Sequence, residues 1–277
     1  MPDFQIELQF PCRQHSDMKR IEHSAQEWAL RFGLSEHARQ FGTYAAMTCP
    51  SAPVEGAELM ADVLTWLFVI DDHYECAAGL AADAPLIAAL TDISMRLGNL
   101  SSSQWRDRFH THFAAMLAAA TKEIELRDDG SPPPFGDYVT LRRNSGAMLV
   151  VFDVLEVCFG AELLPEVYQS SVYQEIVLAG ADIVTWTNDL HSYEKEMAGG
   201  LMTNMVLVLR HHSELDLADA VDATVRLIHD RAAALQAAAG ELTEDGPAFR
   251  CATAVCEWVA GSNRWHTDGT DRYRHTG

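Results

Sequence analysis

The sequence predicts an all-α fold, and three features carry that prediction. From Ser16 to Trp265 apolar residues recur at spacings of three and four, the period of one helix face. Glycine, proline and cap-forming residues punctuate this pattern at helix-sized intervals. After the first fifteen residues no run of alternating strands follows.

Residues 1–15 form the exception: Phe4, Ile6, Leu8 and Phe10 alternate with polar neighbours and read as an extended arm. Ser16 can cap a helix carrying Met18, Ile21, Ala25, Trp28 and Phe32, closed by Gly33. Ser35 opens a shorter helix through Tyr44. The segment 54–76 reads as a long helix, apolar on most sides through its middle and so central in the bundle. Asp83 and Pro85 start a helix to Leu97. Segment 103–127 carries Trp105, Phe109, Phe113, Met116, Leu117 and Ile124 on helical spacing. DDGSPPPF, 128–135, is a loop. Helices follow over 136–159, 165–197, 202–211, 216–242 and 247–265. No repeat or low-complexity linker interrupts them, so one domain over 1–277, of ten or so helices, is expected.

Composition narrows the function. The chain has 40 acidic residues against 20 basic ones, a formal net charge of −20. Nucleic acid needs a basic face, so no nucleic-acid partner is expected, and an anionic membrane surface is disfavoured too. The six cysteines form no CxxC pair and match neither a zinc pattern nor a disulfide framework. They read as reduced thiols in a reducing compartment, and a cytoplasmic location is expected. MPDFQIELQFPCRQ lacks the basic start and sustained apolar run of a signal peptide. No stretch of about 18 purely apolar residues is present to span a membrane.

Two polar constellations stand out. Leu67, Phe68, Val69 and Ile70 run straight into Asp71 and Asp72, with Glu75 one turn later. Asp71 and Glu75 share a helix face, with Asp72 beside them. Carboxylates at the end of a buried helix cost roughly several kcal/mol each to desolvate unless a cation is near, so they read as a hard-cation site. In TWTNDLHSYEKEMAGG, Asn188, Ser192 and Glu196 fall at i, i+4 and i+8. A carbonyl oxygen, a hydroxyl and a carboxylate in one row suit Mg²⁺. Alone, that row reads equally well as a solvated helix end, because Asp189, His191, Glu194 and Lys195 are polar too.

Together, the DDxxE and the NDxxSxxxE resemble the paired motifs of class I terpene synthases, specifically the microbial branch. Arg142, 46 residues before Asn188 in YVTLRRNSGA, lies where that family has its diphosphate-sensing arginine. Ser145 and Gly146 hold its linker and effector positions. Lys195 matches a diphosphate-contacting lysine. WHTDGTDRY supplies the pair Trp265–His266 and the terminal pair Arg272–Tyr273. The resemblance implies a helical bundle around a central active-site cavity, a prenyl diphosphate substrate and three Mg²⁺ ions. It implies metal binding by Asp71, Asp72, Glu75, Asn188, Ser192 and Glu196, and diphosphate contacts from Arg142, Lys195, Arg272 and Tyr273. Gly146 would bend its helix and expose a carbonyl to the substrate. Phe68, Phe152, Trp186 and Trp265 are candidate walls for a carbocation. A homodimer is compatible with all of this.

The expected reaction is cyclisation of farnesyl diphosphate to a hydrocarbon or alcohol, with geranyl or geranylgeranyl diphosphate as alternative substrates. A chain-elongating prenyltransferase would carry a second DDxxD where Asn188, Ser192 and Glu196 stand. A di-iron bundle needs ExxH motifs, which the sequence lacks. An HD-type hydrolase would rely on His229–Asp230, which has no partner motif ahead of it. A non-catalytic isoprenoid-binding helical protein would not require both metal rows. His110, His112, His211 and His212 form no convincing metal set and are expected at the surface. Arg142→Ala is expected to damage ionisation far more than stability.

Overall fold

The computed structural model describes residues 1–34, 38–75, 84–243 and 246–270. Among them, twelve α-helices follow one another with no strand, and a π-helical turn closes the series. The all-α expectation holds. The helices are α1 (Met18–Arg31), α2 (Ala38–Thr48), α3 (Val54–Glu75), α4 (Ala84–Leu100), α5 (Ser103–Asp129) and α6 (Phe135–Ser145). Then come α7 (Met148–Cys158), α8 (Pro165–Tyr168), α9 (Ser171–Ala198), α10 (Met205–His212), α11 (Leu217–Gly240) and α12 (Pro247–Arg264), with the π turn over Trp265–Gly269.

Local chemistry fixes the boundaries. The Ser102 hydroxyl accepts from Trp105 N and starts α5. Gly130, at φ 65°, ends it by donating to the carbonyls of Leu126 and Arg127. The loop therefore begins at Gly130, two residues later than the sequence suggested. Asp17, not Ser16, stands at the start of α1, with no side-chain cap bond. Ser35, Cys76 and Asp83 lie outside the described residues.

Two helices expected to be continuous are broken. Segment 165–197 divides because the Ser170 hydroxyl accepts from Tyr173 N and starts α9 afresh after the short α8. Segment 136–159 divides at Gly146–Ala147, where Ala147 takes the left-handed φ of 59°. Its N–H donates to Asn144 O and closes α6.

The core is organised around α9. It is buried on nearly every side from Tyr173 to Glu196 and packs on α6, α7, α10, α11 and α12. The expected central helix, α3, is also largely buried, but packs on α1, α2, α4 and α7. Helices α2 and α12 meet almost backbone to backbone: a Cβ on Gly261 would sit 2.2 Å from Met47 O.

The arm lies against this bundle. Phe4, Ile6, Leu8 and Phe10 are half-buried and alternate with exposed residues. Asn263 Nδ2 donates to Ile6 O at 3.0 Å, and Arg13 pairs with Glu257 of α12. His112 is not a free surface residue. Its Nδ1 lies 2.6 Å from Asp153, in a buried cluster where Arg108 also bridges Asp153 and Glu156. Cys49, Cys158 and Cys251 are buried thiols. Among the described residues no helix is long and apolar enough to cross a membrane.

Candidate active site

A cavity of ≈ 190 Å³ is lined by α3, α5, α9 and the α6–α7 break, with Tyr44 of α2, Trp258 of α12 and His266 of the π turn. On each long helix the lining residues change character along the axis. Helix α3 gives Leu64, Leu67 and Phe68, then Asp71; α5 gives Met116, Leu117 and Ala120, then Glu123 and Arg127. Helix α9 gives Val184 and Thr185, then Asn188, Ser192, Lys195 and Glu196. Helical periodicity puts each set on one face, so polar groups gather towards one end of each wall.

Asn188, Ser192, Lys195 and Glu196 are thus brought into one cavity with Arg142, Gly146, Phe68 and Asp71. Asp72, next to Asp71, is partly buried and does not line it. The Glu75 side chain, Arg272 and Tyr273 lie outside the described residues.

The row on α9 is held from behind by Asp189, which is fully buried. Asp189 accepts from the Tyr138 hydroxyl, from Arg142 Nε at 2.8 Å and from Met205 N at 2.7 Å. Arg142 also donates through Nη2 to Asn188 Oδ1 at 2.8 Å. Burial opposes its charge, but Asp189, Glu123 and Glu196 outweigh it and hold the guanidinium pKa well above its ordinary value. Tyr138 and Arg142, one turn apart on α6, therefore clamp the end of α9.

Glu196 accepts from Asn204 Nδ2 at 2.9 Å, and Asn204 also caps α10 through Oδ1. Burial, reinforced by Asp189 and opposed by Arg142, raises the Glu196 carboxyl pKa. The Ser192 hydroxyl donates to Asn188 O at 2.7 Å, which leaves its oxygen lone pairs as acceptors. His266 is buried, and its pKa is lowered to about 3, chiefly by burial and then by His191. The ring is therefore neutral at ordinary pH.

Gly146 is required for space rather than for its backbone angle. Its φ is −72°, but a Cβ there would lie 2.4 Å from Thr185 Cγ2. The bend expected at Gly146 is made jointly with Ala147, which carries the left-handed conformation. Arg143 turns away and forms a bidentate pair with buried Asp182 at 2.6 and 2.7 Å, an anion it shares with Arg231.

The aromatic walls differ from expectation. Phe68 lines the cavity and stacks on Phe41 at 4.6 Å. Phe152, Trp186 and Trp265 are buried but do not line it. Trp265 stacks behind Tyr44 at 4.4 Å, and Phe152 meets Trp258 edge-on at 6.5 Å. Trp186 lies on a face of α9 other than the one bearing Thr185, Asn188 and Ser192. Tyr44 and Trp258 are the lining aromatics in their place.

Glu123 and Arg127 are further lining residues that the sequence reading missed. Burial raises the Glu123 carboxyl pKa, while Arg142, Ser145 and Thr203 pull it down. Their signal was present: both continue the helical stripe of Met116 and Ala120.

The donor set suits a hard cation. No group of three His, Cys, Asp or Glu side chains able to hold a metal lies among the described residues. The row Asn188, Ser192 and Glu196 offers oxygen ligands alone, the preference of Mg²⁺ rather than of zinc or iron.

Residues 80–234, more than half of the chain, match the family described as Terpene synthase family 2, C-terminal metal binding. The chain belongs to this family. The matched segment contains Arg142 and the Asn188 row, and α3 with its acidic end precedes it. Over 259 residues the terpene synthase is 28% identical to (+)-T-muurolol synthase of Roseiflexus castenholzii, covering 81% of this chain and 79% of the relative. Over 265 residues it is 29% identical to (−)-delta-cadinene synthase of Streptomyces clavuligerus, covering 84% and 81%. The crystal structure of linalool/nerolidol synthase from Streptomyces clavuligerus superposes with a TM-score of 0.84 at 24% identity, over 95% of this chain and all of that one. This last likeness bears out the class I terpenoid fold.

Proposed function

We propose that this terpene synthase ionises farnesyl diphosphate with Mg²⁺ and cyclises the resulting cation, releasing diphosphate and a fifteen-carbon hydrocarbon or alcohol. One observation carries the reading: Arg142, Asn188, Ser192, Lys195 and Glu196 converge on a cavity whose remaining walls are largely apolar. The relatives add support, since the muurolol synthase is described by its name as cyclising (2E,6E)-farnesyl diphosphate. The domain is 1–277 and the compartment the cytoplasm, in keeping with the acidic surface and reduced thiols.

Asn188, Ser192 and Glu196 would hold one of three Mg²⁺ ions and Asp71 would serve another, with Asp72 and Glu75 as ligands or as partners that support it. Mg²⁺ held by these residues would supply positive charge against the departing diphosphate. Arg142 and Lys195 donate to diphosphate oxygens, with Arg272 and Tyr273 completing the set. Such fixed donors favour the state in which the C–O bond is breaking, because negative charge grows on the leaving oxygen. Leu64, Leu67, Phe68 and Val184 keep water from the cation that remains. The rings of Phe68, Tyr44 and Trp258 each stabilise it by about 0.5–2 kcal/mol. The end of α6 at Gly146 presents the negative end of a helix dipole to the same wall.

The test is to incubate purified protein with geranyl, farnesyl and geranylgeranyl diphosphates, with and without Mg²⁺, and to analyse headspace and extract. A fifteen-carbon product from farnesyl diphosphate, dependent on Mg²⁺, is expected. No turnover of any of the three would overturn the reading.

A further inference from the structure

Asn188 can serve a cation only through its oxygen, yet the two ends of its amide are nearly the same shape. Packing does not choose between them; hydrogen bonds do. On one side Arg142 Nη2, which can only donate, lies 2.8 Å from Oδ1. On the other, Nδ2 lies 3.2 Å from His266 Nε2.

The His266 tautomer follows from its second contact. Nδ1 lies 2.8 Å from the carbonyl of Ser262, which can only accept, so Nδ1 carries the proton. Arg142 leaves the Nδ2 end of Asn188 facing His266, and Nδ2 can only donate, so Nε2 is the bare nitrogen that takes its hydrogen. The ring is held in place as well. It meets Trp265 at 5.2 Å and His191 at 5.4 Å between centroids, and the Ser262 hydroxyl lies 2.9 Å from that of Tyr44. His266 sits on the π-helical turn, a distortion often found at functional sites.

We propose that His266 is a positioning residue that fixes the Asn188 amide with its oxygen towards the cavity. The proposal rests on reading the Asn188 row as a metal site. Arg142 performs the same selection only while it donates to Asn188. When its guanidinium donates to a diphosphate instead, the His266 contact still keeps the nitrogen end away from the cation.

The test is titration of the full chain with Mn²⁺ and inorganic diphosphate, read by calorimetry and by the electron paramagnetic resonance of Mn²⁺. His266→Phe should weaken Mn²⁺ binding by about 10–100-fold, the usual loss when a ligand's supporting partner is removed. His266→Gln, whose carbonyl restores an acceptor, should recover most of that loss. In an Asn188→Asp background both oxygens can bind the cation, so adding His266→Phe should change little. Equal losses in the two backgrounds, or unchanged binding in His266→Phe, would overturn the proposal. Nitrogen-15 spectra of the wild-type imidazoles need no folded variant: a bare Nε2 is expected for His266, and a protonated Nε2 would refute the assignment. Wild-type protein that binds Mn²⁺ and diphosphate but turns over no prenyl diphosphate would count against the proposed function alone.

Discussion

Gly146→Ala is the substitution whose effect can be followed furthest from the structure. The added methyl would lie 2.4 Å from Thr185 Cγ2 and 3.0 Å from Arg142 O. The first contact cannot persist, so one of the two walls must move. Thr185 is not free to rotate, because its hydroxyl donates to Ala181 O at 2.8 Å. Turning it forfeits that bond, worth about 0.5–1.5 kcal/mol net. Shifting α6 instead moves Arg142, whose guanidinium holds both Asn188 and Asp189. Overpacking of this kind typically costs about 1–3 kcal/mol. For a chain of this size that is a fall in Tm of roughly 2–5 °C. A misplacement near 1 Å at a positioned group can cost about 100-fold in rate, so turnover of farnesyl diphosphate should drop by more than the loss of stability explains. Thr185→Ser keeps the hydroxyl and removes the obstructing methyl. In the double variant both Tm and turnover should recover most of the deficit. Full activity in Gly146→Ala, or no rescue by Thr185→Ser, would refute the reasoning.

The other predictions concern the buried charges and one helix contact. Arg142→Lys should cut kcat by at least about tenfold, because a single ammonium cannot reproduce the fork across Asn188 and Asp189. Arg142→Ala should also lower Tm, since it strands buried Asp189 at a cost of about 3–5 kcal/mol. That revises the expectation of a nearly pure catalytic defect; a Tm equal to wild type would restore it. Arg143→Ala removes one partner of Asp182 and should lower Tm while folded enzyme keeps its rate; a selective rate loss would assign Arg143 to the chemistry. Asp62 is 2% exposed, and burial raises its carboxyl pKa to about 7 despite Arg96 at 2.8 Å. A raised carboxyl stabilises the fold below its unfolded pKa of about 4, and the contribution is lost as pH rises through about 7. Wild-type Tm should therefore fall more steeply than that of Asp62→Asn from about pH 5 to about pH 8, and parallel profiles would contradict this. Gly261→Ala should force α2 and α12 apart, because the new Cβ meets the Met47 carbonyl at 2.2 Å and not a flexible side chain. Its Tm should drop sharply, and an unchanged melt would show that the helices can separate without cost.

Much of the fold could be read from local patterns because helix faces and caps are local. Ser102, Gly130 and Asp216 act within a few residues of themselves, as their types suggest. The break at Ala147 was not readable, since alanine carries no signal for a left-handed φ. The break before α9 was readable in principle from Ser170 preceding an apolar run. In the site, i, i+4, i+8 spacing puts Asn188, Ser192 and Glu196 on one face, while their reading as a metal row needs the DDxxE and the family resemblance beside it. Their supports lie beyond such spacing: Tyr138 reaches Asp189 across 51 positions, and His266 reaches Asn188 across 78. Residue type singles out aromatic walls, but type is blind to angle. Trp186 was out of phase with Asn188 and Ser192 on the same helix, so phase would have excluded it.

The most direct test of the metal clamp is anomalous diffraction from crystals grown with Mn²⁺ and inorganic diphosphate. Manganese peaks are expected against Asn188 Oδ1, Ser192 Oγ and Glu196 on one wall and against Asp71 on the other, with diphosphate touching Arg142 between them. Diphosphate bound elsewhere, or no manganese at the Asn188 row, would contradict it.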